Sequence, residues 1–281
     1  MNIWRNKQEA RLAIQEWKAT NHKLALVPTM GALHEGHLSL VHAARKKAER
    51  VVVSIFVNPR QFGKNEDFGR YPRQEAKDIA LLQEAGVDGV FIPDIDTIYQ
   101  QGHATGVQVQ GSLTEGFCGA FRPGHFEGVA TIVSKLFLQL RPDLALFGEK
   151  DFQQLQVIRR FNSDLDIDVE IVGVPTLRDS TGLALSSRNA YLTTDELAIA
   201  RQFNGILRQA IEQAIATPQS LAKISRESVE NLLRIGFTKV DYLAFCAAEN
   251  LQILESLSDN SRLLGAAWIN KTRLIDNFPV V

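Results

Sequence analysis

One stretch decides the reading of the chain: KLALVPTMGALHEGHLSLVHAARKKA, residues 23–48. Its first part, Lys23–Val27, is a short apolar run of the kind a parallel sheet buries on both faces. Its last part, Leu38–Ala48, repeats apolar residues at helical spacing. Between them lies a loop rich in glycine and histidine. Strand, loop and helix in that order form the first half of a βαβ unit.

The same alternation continues outward. Apolar runs at Val51–Val57, Gly89–Ile92, Leu144–Phe147 and Val169–Val174 read as further buried strands. Helical-period stretches at Gln74–Ala85, Val129–Leu140 and Phe152–Phe161 lie between them. This pattern predicts an α/β fold with a doubly wound, Rossmann-like parallel sheet domain over residues 1–175. Past Pro175 the character changes. A loop at Asp179–Asn189 precedes a helix from Thr194, the expected N-cap, to about Ala216, and strands are expected at Val240–Ala244 and Arg262–Trp268. Residues 176–281 are therefore expected to form a smaller C-terminal α+β domain, a candidate lid, with the boundary in Pro175–Arg178.

Composition narrows the function classes. The 281 residues are 45% hydrophobic and 22% charged, as in an ordinary globular protein. Lys plus Arg number 31 against 32 for Asp plus Glu, a formal net charge of −1, so no general attraction to nucleic acid or an anionic membrane is expected. An anionic ligand must be held by a local cluster. Cys118 and Cys246 make neither a disulfide framework nor a C-x-x-C metal pair, which suits a cytoplasmic location. The start, Met1–Lys7, has no signal-peptide apolar region, and no run is long enough to span a bilayer.

Open parallel sheets bind ligands beyond the carboxyl ends of their strands, where strand order reverses. The polar segments that follow strands are thus the candidates: Thr29–His37, Asn58–Gly63 and Gly148–Gln154. His34 and His37, with Gly36 between them, stand at a helix N-terminus, which favours anions, and imidazole donors there suit a phosphoryl group. The pair equally suits a loop cap or an i, i+3 metal site. Gln61 ends an apolar strand with an uncharged amide that can bind hydroxyl or carboxylate groups, although Asn58–Gly63 also reads as a plain Pro-Gly turn. Lys150 sits where a helix start disfavours cations unless an anion is present; the alternative is a solvated lysine, with Asp151 and Gln154 forming a capping box. Leu185-Ser186-Ser187-Arg188-Asn189 offers two hydroxyls and a guanidinium for phosphate, or else simply starts the next helix.

Together, PTMGALHEGH at 28–37, VNPRQF at 57–62, RPGHFEGV at 122–129, FGEKDFQQ at 147–154 and LSSRN at 185–189 resemble the pantothenate synthetase family of the nucleotidyltransferase superfamily. The resemblance implies an ATP-dependent ligation of pantoate to β-alanine through an acyl-adenylate, with Mg²⁺ and a homodimeric assembly. It implies that His37, His34 and Lys150 are catalytic. ATP would be lined by Met30, Gly31, Ala32, Leu33, Glu35 and Gly36 with the two histidines, by Gly148, Glu149 and Asp151 with Lys150, and by Leu185, Ser186, Ser187 and Arg188. Leu177 stands where the family often has Val against adenine. Gln61 and Gln154 would bind pantoate and β-alanine. Asp78 would hold Mg²⁺, although its own segment reads as an ordinary exposed helix.

Overall fold

The computed structural model describes residues 1–64 and 66–280. Along the chain they form β1 (Asn2–Trp4), α1 (Lys7–Ala19), β2 (Leu24–Thr29), α2 (Glu35–Arg45), β3 (Arg50–Ile55), a 3-10 turn at Pro59–Gln61, α3 (Glu75–Glu84), β4 (Gly89–Phe91) and α4 (Ile95–Ile98). Next come α5 (Ser112–Glu115), α6 (Cys118–Phe121), α7 (His125–Leu140), β5 (Leu144–Gly148), a 3-10 turn at Glu149–Asp151, α8 (Phe152–Asp164) and β6 (Glu170–Val174). The remainder holds a 3-10 turn at Ser187–Tyr191, then α9 (Thr194–Ala200), α10 (Gln202–Ala216), α11 (Leu221–Arg234), β7 (Lys239–Ala247), β8 (Ser261–Ile269) and β9 (Thr272–Pro279).

These elements fall into two compact units. The first comprises Met1–Val109, Arg122–Glu149 and Val157–Pro175; the second comprises Gln110–Phe121, Lys150–Gln156 and the chain from Thr176 onward. In the first, six parallel strands are ordered β1-β4-β3-β2-β5-β6. The chain winds outward from β2 through β3 to β4, then returns to place β5 on the other side of β2. Strand order therefore reverses between β2 and β5, and the loops after these two strands flank the crevice where such sheets bind ligands. The central strands β2 and β3 are apolar along their middles because helices cover both faces: Leu24 through Val27 and Val51 through Val53 are buried. Each such side chain contributes about 1.5–3 kcal/mol by leaving water.

Several boundaries differ from the sequence reading for local reasons. The edge strand β1 was not expected, since three residues are too short to display alternation. Helix α2 begins at Glu35 rather than Leu38, because His34 supplies its N-cap, and it stops at Arg45. Helix α7 begins at His125 rather than Val129, after Gly124 in the left-handed region at φ +77°.

The second unit carries an antiparallel sheet, β7-β8-β9. Phe203 and Leu207 of α10, Leu232 of α11, Phe245, Leu263 and Leu274 share its core. The single helix expected from Thr194 to Ala216 is two, α9 and α10, joined at Arg201, and its N-cap is Thr193, whose side chain forms a capping box with Glu196. Besides the short helices α5 and α6, α11 and β9 went unread. β9 hides its period by burying Asp276 and Asn277, whereas α11 carries a regular apolar face through Leu221, Ile224 and Leu232. Asp276 is held by both terminal nitrogens of Arg178, at 2.6 and 2.7 Å.

A contiguous division at residues 175/176 differs from these units by the two inserted segments. Gln153 accounts for much of that. Its Oε1 accepts from Cys118 N at 2.8 Å, and its Nε2 donates to Leu113 O and Gly116 O, both at 2.9 Å, so Lys150–Gln156 grips Gln110–Phe121 directly. Among the described residues no helix is long and apolar enough to cross a membrane.

Candidate active site

The loop after β2 is braced from beneath. Thr29 Oγ1 donates to Ser54 O at 2.8 Å and accepts from Gly31 N at 3.2 Å. Gly31 and Ala32 both take positive φ, +79° and +52°, and a left-handed pair needs external support. Asp78 provides it: its carboxylate accepts from Ala32 N at 2.9 Å and from Leu33 N at 2.8 Å. The leucine side chain is buried in the sheet's core, so among Met30–Leu33 the backbone donors of Gly31, Ala32 and Leu33 are already committed within the protein.

This corrects the reading of Asp78 as part of an exposed helix. Asp78 is 1% exposed, and with Leu82 it faces inward from α3. Each oxygen of its carboxylate accepts one backbone donor and keeps a further lone pair, so bracing the loop and meeting a cation are compatible. Asp78→Ala would leave two amides without acceptors in a buried setting. An unfolding free energy lower by about 2–6 kcal/mol is expected in urea titration, at about 1–3 kcal/mol per orphaned group.

At the start of α2 the two histidines form a reciprocal cap. Nδ1 of His34 accepts from Gly36 N at 3.1 Å, and Nδ1 of His37 accepts from His34 N at 3.4 Å. The rings lie 4.2 Å apart, centroid to centroid. A backbone N–H only donates, so Nδ1 of each ring must be the acceptor and each neutral ring carries its proton on Nε2. The helix N-terminus, already the positive end of its dipole, is thus extended outward through two imidazoles that end in N–H donors. Of the readings of the pair, the structure shows the cap. Glu35 is exposed, and Gly36 spends its amide on His34.

At the end of the neighbouring β3, Asn58 is buried and acts as a hub. Its Oδ1 accepts from Tyr99 Oη at 2.7 Å and caps the 3-10 turn at Arg60 N, while its Nδ2 donates to Gln61 Oε1 at 3.1 Å and Gly128 O at 3.0 Å. Gln61 Nε2 in turn reaches Met30 Sδ at 3.3 Å. The first unit therefore brings Met30, the histidine pair and Gln61 together at the ends of adjacent strands. Gly148 ends β5, the strand across the reversal, and Glu149 follows it.

The second unit holds the other expected residues. Lys150 has its ammonium 3.7 Å from Asp151 Oδ2, and its carbonyl accepts from Asn277 Nδ2 at 2.9 Å. Gln154 is half-buried beside the fully buried Gln153, so the two neighbouring glutamines divide between a partly accessible position and a structural one. Leu185 N donates to Leu177 O at 3.0 Å, which ties Leu177 to the Leu185–Arg188 loop. Leu177 itself is 40% exposed. Ser186 caps the following 3-10 turn by accepting from Arg188 N. Sequence reasoning gave no role to Arg122, His125 or Gln153; the first two were visible only as part of RPGHFEGV.

The fold and these strand ends define a doubly wound α/β protein that sets paired imidazole donors at its topological switch point. A family model described as pantoate-beta-alanine ligase matches residues 2–279. The chain belongs to that family of ATP-dependent ligases. It is 51% identical over 280 residues to the pantothenate synthetase of Sphingopyxis alaskensis, covering 100% of both chains. The crystal structure of pantothenate synthetase from Thermus thermophilus superposes with a TM-score of 0.92 at 46% identity, covering 100% of this chain and 99% of that one. The pantoate-beta-alanine ligase of Francisella tularensis, complexed with beta-gamma ATP and beta-alanine, gives 0.84 at 35% identity, covering 100% and 98%.

Proposed function

We propose that the protein condenses pantoate with β-alanine at the expense of ATP, through a bound pantoyl-adenylate. A carboxylate oxygen of pantoate attacks the α-phosphorus of ATP, the bond to the β-phosphate oxygen breaks, and pyrophosphate leaves. The neutral amine of β-alanine then attacks the acyl carbon, the bond to AMP breaks, and the amine's surplus proton passes to solvent. Catalysis here is positioning and charge stabilisation, which needs no protein nucleophile.

The observation that carries this reading is the reciprocal cap of the histidine pair, in which each Nδ1 accepts a backbone N–H and so assigns the ring proton to Nε2. Two Nε2–H donors at the positive end of α2, beside the strand-order reversal, suit the charge that builds on the α-phosphate. His37 is the main donor, with His34 beside it. Lys150 adds positive charge to the phosphates, and Leu185–Arg188 grips them as a second loop. Met30–Gly36 and Gly148–Asp151 line the nucleotide, with Leu177 against adenine, and Gln61 and Gln154 bind the small acids. Mg²⁺ bound with ATP would offset the charge of the phosphates, and Asp78, which also braces the loop through Ala32 N and Leu33 N, would be its protein ligand. A cytoplasmic homodimer is the accompanying proposal, supported by the family membership and by two cysteines outside any disulfide.

Product analysis tests the reading. Purified protein with ATP, pantoate, β-alanine and Mg²⁺ should yield AMP, pyrophosphate and the pantoate–β-alanine amide in equal amounts. Formation of ADP and phosphate instead would contradict it.

A further inference from the structure

We infer that the segment Arg122–Gly128 is a positioning element for Gln61, with His125 as its central residue. The inference rests on the reading of Gln61 as a pantoate ligand. Gln61 ends a 3-10 turn, where carbonyls have no donor within the turn. Its carbonyl instead accepts from His125 Nδ1 at 2.8 Å. The other ring nitrogen, Nε2, lies 2.9 Å from Arg122 Nη1. A guanidinium can only donate, so Nε2 accepts, the ring is neutral, and its one proton is forced onto Nδ1, facing Gln61.

Arg122 is itself fixed. Its Nε and Nη2 donate to the two carboxylate oxygens of Glu66 at 2.8 and 2.6 Å. Burial alone would raise the Glu66 carboxyl, but the hydrogen bonds and charge of Arg122 hold it below its ordinary range. The chain of contacts thus runs from a carboxylate through a guanidinium and an imidazole to the backbone of Gln61.

Two further contacts close the arrangement. A Cβ at Gly128 would stand 2.3 Å from Arg60 O and 2.6 Å from Gln61 N, so only glycine lets the first turn of α7 rest backbone to backbone on the turn that carries Gln61. Across that contact Asn58 Nδ2 bridges Gly128 O and Gln61 Oε1, which orients the glutamine amide. His125 is 8% exposed. Its role is to position another residue, and it is not a catalytic residue.

The test compares steady-state constants of the full chain with His125→Leu, His125→Asn and Gln61→Ala, each checked for folding by thermal melt. The leucine variant removes the shorter of the two donors to the Gln61 carbonyl, leaving Arg122 Nη2 at 3.5 Å; asparagine restores an amide N–H near the Nδ1 position. KM for pantoate should rise roughly tenfold in His125→Leu, the scale of one buried hydrogen bond, with KM for ATP shifted less than about threefold. His125→Asn should recover most of the loss. Equal constants in the two variants, or a rise in both KM values together, would overturn the positioning role. An unmoved pantoate KM in Gln61→Ala would remove the underlying reading of Gln61 and the inference with it. A raised value there beside a normal His125→Leu would sink the inference alone. Should His125→Leu fail to fold, Glu66→Gln takes its place: a rise in the pantoate KM alone is expected, and no change would count against the proposal.

Discussion

His37→Ala is expected to lower kcat by roughly 10² or more, the scale seen when one donor to developing transition-state charge is removed. The same substitution also takes away half of the reciprocal cap at the start of α2, since His37 Nδ1 accepts from His34 N. Loss of a cap costs about 0.5–2 kcal/mol of stability, so alanine confounds two effects. Two amides separate them. His37→Asn keeps an acceptor near Nδ1 but has no N–H at the Nε2 position; it should preserve the melting temperature and still turn over slowly. His37→Gln has at N3 a side chain whose oxygen can take the His34 N–H while its own N–H lies farther out; it should keep the stability and recover part of the rate. Near-normal turnover by a folded His37→Asn variant would take the Nε2–H donor out of the mechanism and leave the pair as a helix cap.

For Lys150→Ala the expected loss is roughly 10²–10³ in the rate of adenylate formation, because a full charge on the phosphates disappears. Stability should change by less than about 1 kcal/mol, the scale of a partly solvated ion pair. The fold holds this residue through its backbone, with Asn277 Nδ2 on its carbonyl, and that bond survives any side chain. The ammonium's contact with Asp151 is partly solvated, so its removal matters little. Single-turnover quench-flow with pantoate and ATP reads the first step directly. Normal adenylate formation together with a large fall in melting temperature would make Lys150 a structural residue.

The central sheet was legible because β2, β3 and β5 are buried on both faces and show as unbroken apolar runs. Their order along the chain is enough to place the ligand loops at strand ends. Less legible were elements whose buried faces carry polar groups satisfied from far away. Asp276 is paired to Arg178, 98 residues distant, and so β9 did not read as a strand. Asp78 looked like an exposed acid because its two acceptors' partners, Ala32 and Leu33, lie 46 and 45 residues earlier. In the candidate site the types of residue were readable, and their local bonding was not. No spacing rule states that His34 and His37 bond the helix start through Nδ1, or that His125 faces Gln61. These facts depend on backbone directions at positive-φ and 3-10 positions, which leave a trace in sequence only as glycine and proline.

The proposed reaction turns on a bound acyl-adenylate made without a protein nucleophile, which isotope exchange detects without altering the protein. With pantoate and Mg²⁺ but no β-alanine, labelled pyrophosphate should enter ATP, because the first step is reversible and the adenylate is retained away from water. Omission of pantoate should abolish the exchange. Exchange that persists without pantoate would imply adenylylation of the protein itself, and exchange that appears only with β-alanine present would contradict the two-step scheme.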